Sequence, residues 1–120
     1  MNIFVAGHNG MVGSAIVRLL QKNESINIFT ISRSLLDLKD SDKVLDYFQE
    51  YKIDHIYIAA AKVGGIKANS EFPVEFLHEN ISLQNSLISA AYKRGAKKLM
   101  FLGSSCIYPK FSEQPIKEKA

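Results

Sequence analysis

Apolar residues in this chain are concentrated in four short runs, each separated from the next by a segment with helical spacing. The runs cover residues 3–6, 27–32, 54–59 and 97–102 and are rich in Ile, Phe, Leu and Val. Short, nearly continuous apolar runs of this kind predict buried strands. Their regular alternation with helical segments predicts a parallel sheet with right-handed crossovers, which is an α/β doubly wound, Rossmann-like fold.

Three helices are predicted between the strands. The first follows Gly13 and ends near residue 22, Ser41 caps a second that ends near residue 51, and the third spans residues 71–94. Asn80 shares the inward side of the third helix, where a polar group needs a partner, and is predicted to be a satisfied structural amide. The predicted inward sides comprise Val12, Ala15, Ile16, Leu19 and Leu20; Val44, Leu45, Phe48 and Tyr51; and Phe76, Leu83, Leu87, Ile88 and Ala91.

Three glycines separate the first strand from the first helix. Gly7 permits a tight turn, Gly10 permits close approach of a phosphate to the backbone, and Gly13 permits close packing of helix on strand. The helix N-terminus adds unpaired N–H groups and a positive dipole end. The spacing is G-x-x-G-x-x-G rather than the usual G-x-G-x-x-G. The pattern predicts a dinucleotide diphosphate site, and the alternative is a purely structural turn.

The end of the second strand bears on the choice between NAD and NADP. NAD sites commonly place Asp or Glu about 20 residues after the glycines, to bind the ribose 2′-hydroxyl. This window contains no carboxylate and ends in Arg33, which can pair with a 2′-phosphate. The sequence therefore favours NADP(H), and the alternative is that Arg33 is a solvated loop charge.

Two further segments are expected to contact the cofactor. Asp37 and Leu38 follow the second strand in a loop, where the adenine would lie if the fold is correct. Ala59, Ala60 and Ala61 end the third strand, and such small residues let a flat ligand pass close to the backbone. Ligands of open α/β sheets bind at this carboxyl edge. The alternative for the alanines is a plain loop.

Composition excludes several classes of protein. The chain of 120 residues fits one domain, and its net charge of +3 is too small for a nucleic-acid surface. The single cysteine allows no internal disulfide and indicates a reducing compartment. The three histidines are too scattered for a metal site. We find no membrane span and no signal-peptide pattern, so the sequence predicts a soluble, cytoplasmic protein.

Three segments carry a resemblance to a known family. They are AGHNGMVGSAI (residues 6–16), AAAKVGGIKAN (59–69) and FLGSSCIYPK (101–110). With these segments the chain resembles the extended short-chain dehydrogenase/reductases, within them the branch that makes GDP-L-fucose from GDP-4-keto-6-deoxy-D-mannose. The resemblance implies epimerisation at C3 and C5 and then reduction of the C4 ketone by NADPH. It also implies a GDP-sugar substrate and a homodimer.

The resemblance implies roles for particular residues. Ser104 would be catalytic and hydrogen-bond the C4 carbonyl oxygen, and Cys106 would be catalytic and exchange the C3 and C5 protons. The alternatives are a turn hydroxyl for Ser104 and a small buried hydrophobe for Cys106. The cofactor-binding residues would be Gly7, His8, Asn9, Gly10, Met11, Val12, Gly13, Arg33, Asp37, Leu38, Ala59, Ala60, Ala61, Leu102, Gly103, Ser104 and Ser105.

The chain departs from this family in one large respect. The Tyr-x-x-x-Lys pair of the family is absent, because no tyrosine here has a lysine four residues later. The catalytic histidine and the substrate domain are also missing. We therefore interpret residues 1–120 as the N-terminal portion of an NADP-binding domain and expect no turnover from them alone. The alternatives are a non-catalytic NADP-binding module and another nucleotide-sugar epimerase or dehydratase.

Overall fold

A four-stranded parallel sheet organises the chain in the computed structural model, which describes residues 1–120. All three strand pairs are parallel, which confirms the predicted doubly wound fold. In chain order the elements are β1 (Asn2–Ala6), α1 (Met11–Leu20), β2 (Asn27–Phe29), α2 (Ser41–Tyr51), β3 (His55–Ile58), α3 (Ile66–Glu71), α4 (Pro73–Lys93), β4 (Lys98–Phe101) and a 3₁₀ turn (Ser105–Ile107).

The order of the strands, β2-β1-β3-β4, places a topological switch point at β1. After β1 the chain builds β2 on one side of it and then crosses to build β3 on the other. The register pairs Ala6 with Ile58, and the N–H of Ala59 donates to the carbonyl of Ala6 at 2.9 Å. The carboxyl ends of β1 and β3 are therefore level and adjacent, which is where ligands of open α/β sheets bind.

The main core lies between the sheet and the helices α2 and α4. Phe4 and Ile56 contribute from the strands, and Phe48 and Leu87 contribute from the two helices. All four side chains are almost completely buried. Because strand residues alternate between faces, Val5 is buried on the opposite face, where α1 packs against β1. None of the helices combines the length and apolar content that crossing a bilayer requires.

Several predicted boundaries are wrong. β2 ends at Phe29 rather than residue 32, because its ladder with β1 ends at the Phe4–Phe29 pair. Asp40, not Ser41, caps α2, and its carboxylate accepts the N–H of Lys43 at 3.2 Å. α1 begins at Met11, before Gly13 rather than after it.

The predicted third helix, residues 71–94, is α4, and the structure adds before it a short helix, α3, that the sequence did not predict. Phe72 leaves helical geometry with φ −127° and ψ 54°, and Pro73 then occupies the first turn of α4, where its missing N–H costs nothing. α3 precedes the break and has no buried residue, so it lacks the apolar pattern that would have predicted it. Gly95 follows α4 with φ +72°, as the left-handed position after a helix favours glycine.

Five residues predicted to face inward are exposed: Val12, Ala15, Leu19, Tyr51 and Ile88. α2 and α4 pack against each other, whereas α1 packs mainly on β1, so less of the α1 surface is covered. Helical spacing identifies an apolar side of a helix, but it does not reveal how much of that side another element covers.

Candidate functional site

The glycine turn between β1 and α1 is closed by backbone contacts that leave no room for a side chain. Gly7 has φ +85°, and the N–H of Gly10 donates to its carbonyl at 3.1 Å. A Cβ on Gly7 would lie 2.5 Å from the carbonyl oxygen of Ala59. The turn after β1 therefore rests directly on the backbone that follows β3, and only glycine satisfies both constraints.

Gly13 allows α1 to pack closely against the glycine turn, because it has no Cβ. It is the one buried residue of that helix, and a Cβ there would overlap the carbonyl of Gly7. The structure thus agrees with the packing role predicted for Gly13. It also places Gly13 beneath the turn, outside the set of residues that line the cavity described next.

A cavity of about 600 Å³ opens above the turn at the switch point. Three segments line it, residues 7–12, 31–33 and 59–61, together with Leu38 and Val63. The structure therefore brings together all of the glycine-turn residues predicted to bind cofactor except Gly13, and joins them to Arg33, Leu38 and the three alanines. The segments are far apart in sequence and meet because each lies at the carboxyl end of a strand.

The prediction missed three lining residues, Ile31, Ser32 and Val63. The predicted second strand includes Ile31 and Ser32, although they lie beyond its ladder and directly precede Arg33. Their position at a carboxyl end was the signal that could have identified them. Val63 follows the three alanines by two residues, and nothing in its side chain distinguishes it from a core valine.

The first turn of α1 faces this cavity without a side-chain cap. Its N-cap residue is Gly10, which has no side chain that could cap the helix, and no acidic residue lies in the first turn. Met11 and Val12 begin the helix and line the cavity. Backbone N–H groups at a helix start lack intrahelical partners and carry a partial positive charge, so this end of α1 is suited to an anion.

A smaller cavity of about 260 Å³ adjoins the large one and shares Arg33 and Leu38 with it. Asp37, Lys39 and Lys62 also line it. The carboxylate of Asp37 accepts the N–H of Lys39 at 2.9 Å, which fixes the loop that precedes α2. Asp37 therefore lies beside Arg33 and Leu38, but in the smaller cavity.

Asn80 is the satisfied structural amide that the sequence predicted. Its Oδ1 accepts the backbone N–H of Lys62 at 2.6 Å, and its Nδ2 donates to the carbonyl of Lys62 at 3.0 Å. Through this residue α4 contacts the loop that lines the cavity after β3.

The end of β4 is open by comparison. Gly103 has nothing within 4 Å of an added Cβ, and Cys106 is exposed rather than a buried hydrophobe. The hydroxyl of Ser104 accepts the N–H of Cys106 at 3.1 Å and caps the 3₁₀ turn. None of the predicted residues from Leu102 to Ser105 lines the large cavity. They lie at the same edge of the sheet, because Phe101 pairs with Ile58.

The two perturbed ionisable groups lie outside both cavities. A hydrogen bond from the Asn2 N–H, together with the nearby Lys97, lowers the pKa of Asp54, which directly precedes β3 at the amino edge of the sheet. Burial raises the pKa of Tyr47 in α2. The chain contains no cluster of three His, Cys, Asp or Glu residues that could bind a metal ion.

Residues 3–120 match the NAD dependent epimerase/dehydratase family. The chain is 51% identical over 118 residues to GDP-L-fucose synthase 1 of Arabidopsis thaliana, which covers 98% of this chain and 36% of that protein. It is 47% identical over 116 residues to GDP-L-fucose synthase of Escherichia coli, covering 97% of this chain and 36% of that protein. The chain thus spans 36% of the length of both curated relatives.

This chain is also similar, in both sequence and structure, to a solved structure of a protein that acts on a GDP-sugar. The protein is described as MlghC, a GDP-mannoheptose C4 reductase from Campylobacter jejuni with NADP bound. It superposes with a TM-score of 0.90 at 35% sequence identity, covering 98% of this chain and 37% of that one. The similarity therefore includes the whole arrangement of sheet, glycine turn and helices in this chain.

Proposed function

The chain belongs to the NAD dependent epimerase/dehydratase family, and from this we propose that it binds NADP(H) at the carboxyl ends of β1 and β3. It would form the N-terminal portion of the cofactor domain of an enzyme that converts GDP-4-keto-6-deoxy-D-mannose to GDP-L-fucose. The reaction would epimerise C3 and C5 and then reduce the C4 ketone. Identity of about half to two GDP-L-fucose synthases supports this choice of substrate.

The cavity at the switch point is the observation that carries the proposal. Its volume of about 600 Å³ falls within the range of about 300–1,000 Å³ that small-molecule sites occupy. Its floor is a turn in which Gly7 excludes any Cβ, and its wall includes the uncapped start of α1. A flat ligand with a diphosphate at its centre fits such a site.

Each segment of the cavity has a role in this proposal. Residues 7–12 would bind the diphosphate through backbone N–H groups, and Arg33 would pair with the 2′-phosphate. Asp37 and Leu38 would flank the adenine. The three alanines at 59–61 would border the path toward the nicotinamide, as Leu102, Gly103 and Ser105 would from β4. Bound NADPH supplies a hydride for reduction of the C4 ketone.

Ser104 and Cys106 would act on the sugar. The Ser104 hydroxyl already accepts the N–H of Cys106, so its own proton remains available for donation to the C4 carbonyl oxygen. A 4-keto group acidifies the hydrogens on C3 and C5, and the Cys106 thiolate would remove one of these protons. Donation from Ser104 would stabilise the resulting enolate. A nearby cation or donor is needed to favour the thiolate.

Cofactor titration tests the proposal. We expect the protein to bind NADPH more tightly than NADH, and Arg33→Ala to weaken NADPH binding by about 10- to 100-fold, the range for lost charge-assisted hydrogen bonds. NADH binding should change little. Arg18→Ala is the matched control, because Arg18 in α1 contacts Ser14 and lines neither cavity. Tighter binding of NADH, or binding of neither nucleotide, would contradict the proposal.

We also propose that the full-length protein is a homodimer that pairs through α4. Val74, Leu77, Ile81, Ile88 and Tyr92 are exposed on that helix and recur mostly at helical spacing, which forms an apolar stripe without a partner in this chain. Replacing Leu77 with Glu should convert the dimer to monomers in sedimentation. A wild-type protein that sediments as a monomer would contradict this part of the proposal.

A further inference from the structure

The side chain of Asn80 in α4 forms hydrogen bonds with both backbone groups of Lys62, a residue of the loop that follows β3. Asn80 accepts the N–H of Lys62 at 2.6 Å and donates to its carbonyl at 3.0 Å. Neither group of Lys62 makes another hydrogen bond in this chain. Lys62 lies in neither a helix nor a strand, so no regular secondary structure satisfies its backbone N–H and carbonyl. Asn80 satisfies both of these groups instead.

The side chain of Lys62 is directed by the same helix. Its Nζ lies 3.6 Å from a carboxylate oxygen of Glu79 and 5.5 Å from the centre of the Phe76 ring. α4 is in turn fixed to the core, since Leu87 is completely buried there. Three residues of α4 within a span of five thus hold both the backbone and the side chain of Lys62.

Lys62 lies between the two cavities. Its chain neighbours Ala61 and Val63 line the large cavity, while Lys62 lines the smaller one. A rotation of the Lys62 peptide groups would therefore move lining atoms of both cavities.

We infer that Asn80 is a positioning residue for the cofactor: it holds residues 59–63 in the shape that receives NADP(H). The inference rests on the proposed function, since it requires the cofactor to bind in these cavities. Asn80 acts through the Lys62 backbone, and its effect on affinity arises from pre-organisation of the loop.

The test measures the Kd for NADPH in the full-length protein at a temperature at which every variant is folded. Asn80→Ala should weaken binding about tenfold, the effect of one to two neutral hydrogen bonds. Asn85→Ala is the matched control, because Asn85 is an exposed asparagine of the same helix, and it should leave the Kd within about twofold of wild type.

Two more variants separate positioning from loss of stability. Ile53→Val trims a buried residue next to the amino end of β3, so it should lower the Tm and leave the Kd unchanged. Asn80→Asp retains an acceptor for the Lys62 N–H and loses the donor, so its Kd should lie between those of Asn85→Ala and Asn80→Ala. It also provides the test if Asn80→Ala does not fold.

The outcomes distinguish the inference from the proposed function. If wild type binds no NADPH, the proposed function fails and the inference fails with it. If wild type binds NADPH and both Asn80 variants match Asn85→Ala, the inference is wrong and the function stands. An equally large loss of affinity in Ile53→Val would also overturn the inference, because lost stability alone would then explain the effect.

Discussion

Two parts of the carboxyl edge of the sheet differ in how completely this chain builds them. At the ends of β1 and β3 the backbone closes on itself, since Gly7 touches the chain after β3 and Gly13 touches Gly7. At the end of β4 an added Cβ on Gly103 would meet open space, and Cys106 is exposed. The first part is a formed cavity, and the second is an unenclosed turn.

The difference separates cofactor binding from catalysis. Binding of a dinucleotide requires a cavity and backbone donors, and both are present around residues 7–12. The proposed catalysis would also require the substrate to be enclosed beside Ser104 and Cys106, and both residues are exposed in this chain. The proposed function thus has a geometric basis at β1 and β3, whereas at β4 it depends on the sequence match.

The largest effect should appear when the 120-residue chain is assayed by itself for cofactor binding and for turnover. We expect the 120-residue chain to bind NADPH and to show no turnover of GDP-4-keto-6-deoxy-D-mannose, because it has no Tyr-x-x-x-Lys pair to protonate the C4 oxygen. NADPH oxidation measured by absorbance, beside the full-length protein as a positive control, checks this. Full turnover by the short chain would contradict it.

The next largest effect concerns Cys106 in the full-length protein. Cys106→Ser should slow exchange of the C3 and C5 protons by about 10²- to 10⁴-fold, the usual contribution of a positioned acid–base group. Reduction of an already epimerised ketone should persist. Deuterium incorporation followed by NMR measures the exchange, and Ile107→Ala is the comparison, because Ile107 is an exposed residue of the same turn with no proposed role. Unchanged exchange would favour a C4 reductase that does not epimerise.

A smaller effect should follow from adding one methyl group at the closed part of the edge. Gly13→Ala places a Cβ against the carbonyl of Gly7 and should lower the free energy of unfolding by about 1–3 kcal/mol, as overpacking does. NADPH binding should weaken with it. Gly65→Ala is the control, because nothing lies within 4 Å of its added Cβ. Equal stability of the two variants in denaturant titrations would show that α1 does not rest on the turn.

The smallest effect lies at the opposite edge of the sheet, at Asp54. Because its pKa is lowered on folding, chiefly by the N–H of Asn2, Asp54 stabilises the protein above its unfolded pKa of about 3.9. This contribution is lost as the pH falls through the lower, folded pKa. Asp54→Asn should therefore lower the Tm at pH 7, and the difference from wild type should shrink below about pH 4.

A Tm difference for Asp54→Asn that stays constant between pH 7 and pH 3 would contradict this explanation. NADPH binding at pH 7 should be unaffected, because Asp54 lines neither cavity. This variant thus provides a stability change that is remote from the cofactor site.

The sequence predicted the parts of the fold that depend on local pattern. The run at residues 3–6 is the buried strand β1, and the glycine spacing predicted the turn that packs α1 against it. Small residues after the third strand predict close approach of a ligand at the carboxyl edge, and the structure places Ala59, Ala60 and Ala61 in the cavity lining there. Pattern and topology were sufficient for these residues.

The sequence did not predict features that depend on contacts between distant residues. α3 has no buried face, so no periodicity marked it. Leu19 and Ile88 have helical apolar spacing, yet both side chains are exposed in this chain. The partner of Asn80 also had to come from the structure, because sequence shows that a buried amide needs a bond but not that Lys62 provides it.

A crystal structure of the full-length protein with NADPH tests the central claim most directly. We predict that the diphosphate lies over residues 7–12, accepts hydrogen bonds from the backbone at the start of α1, and places the 2′-phosphate at Arg33. Density for the cofactor elsewhere, with this part of the carboxyl edge empty at saturating NADPH, would contradict the claim.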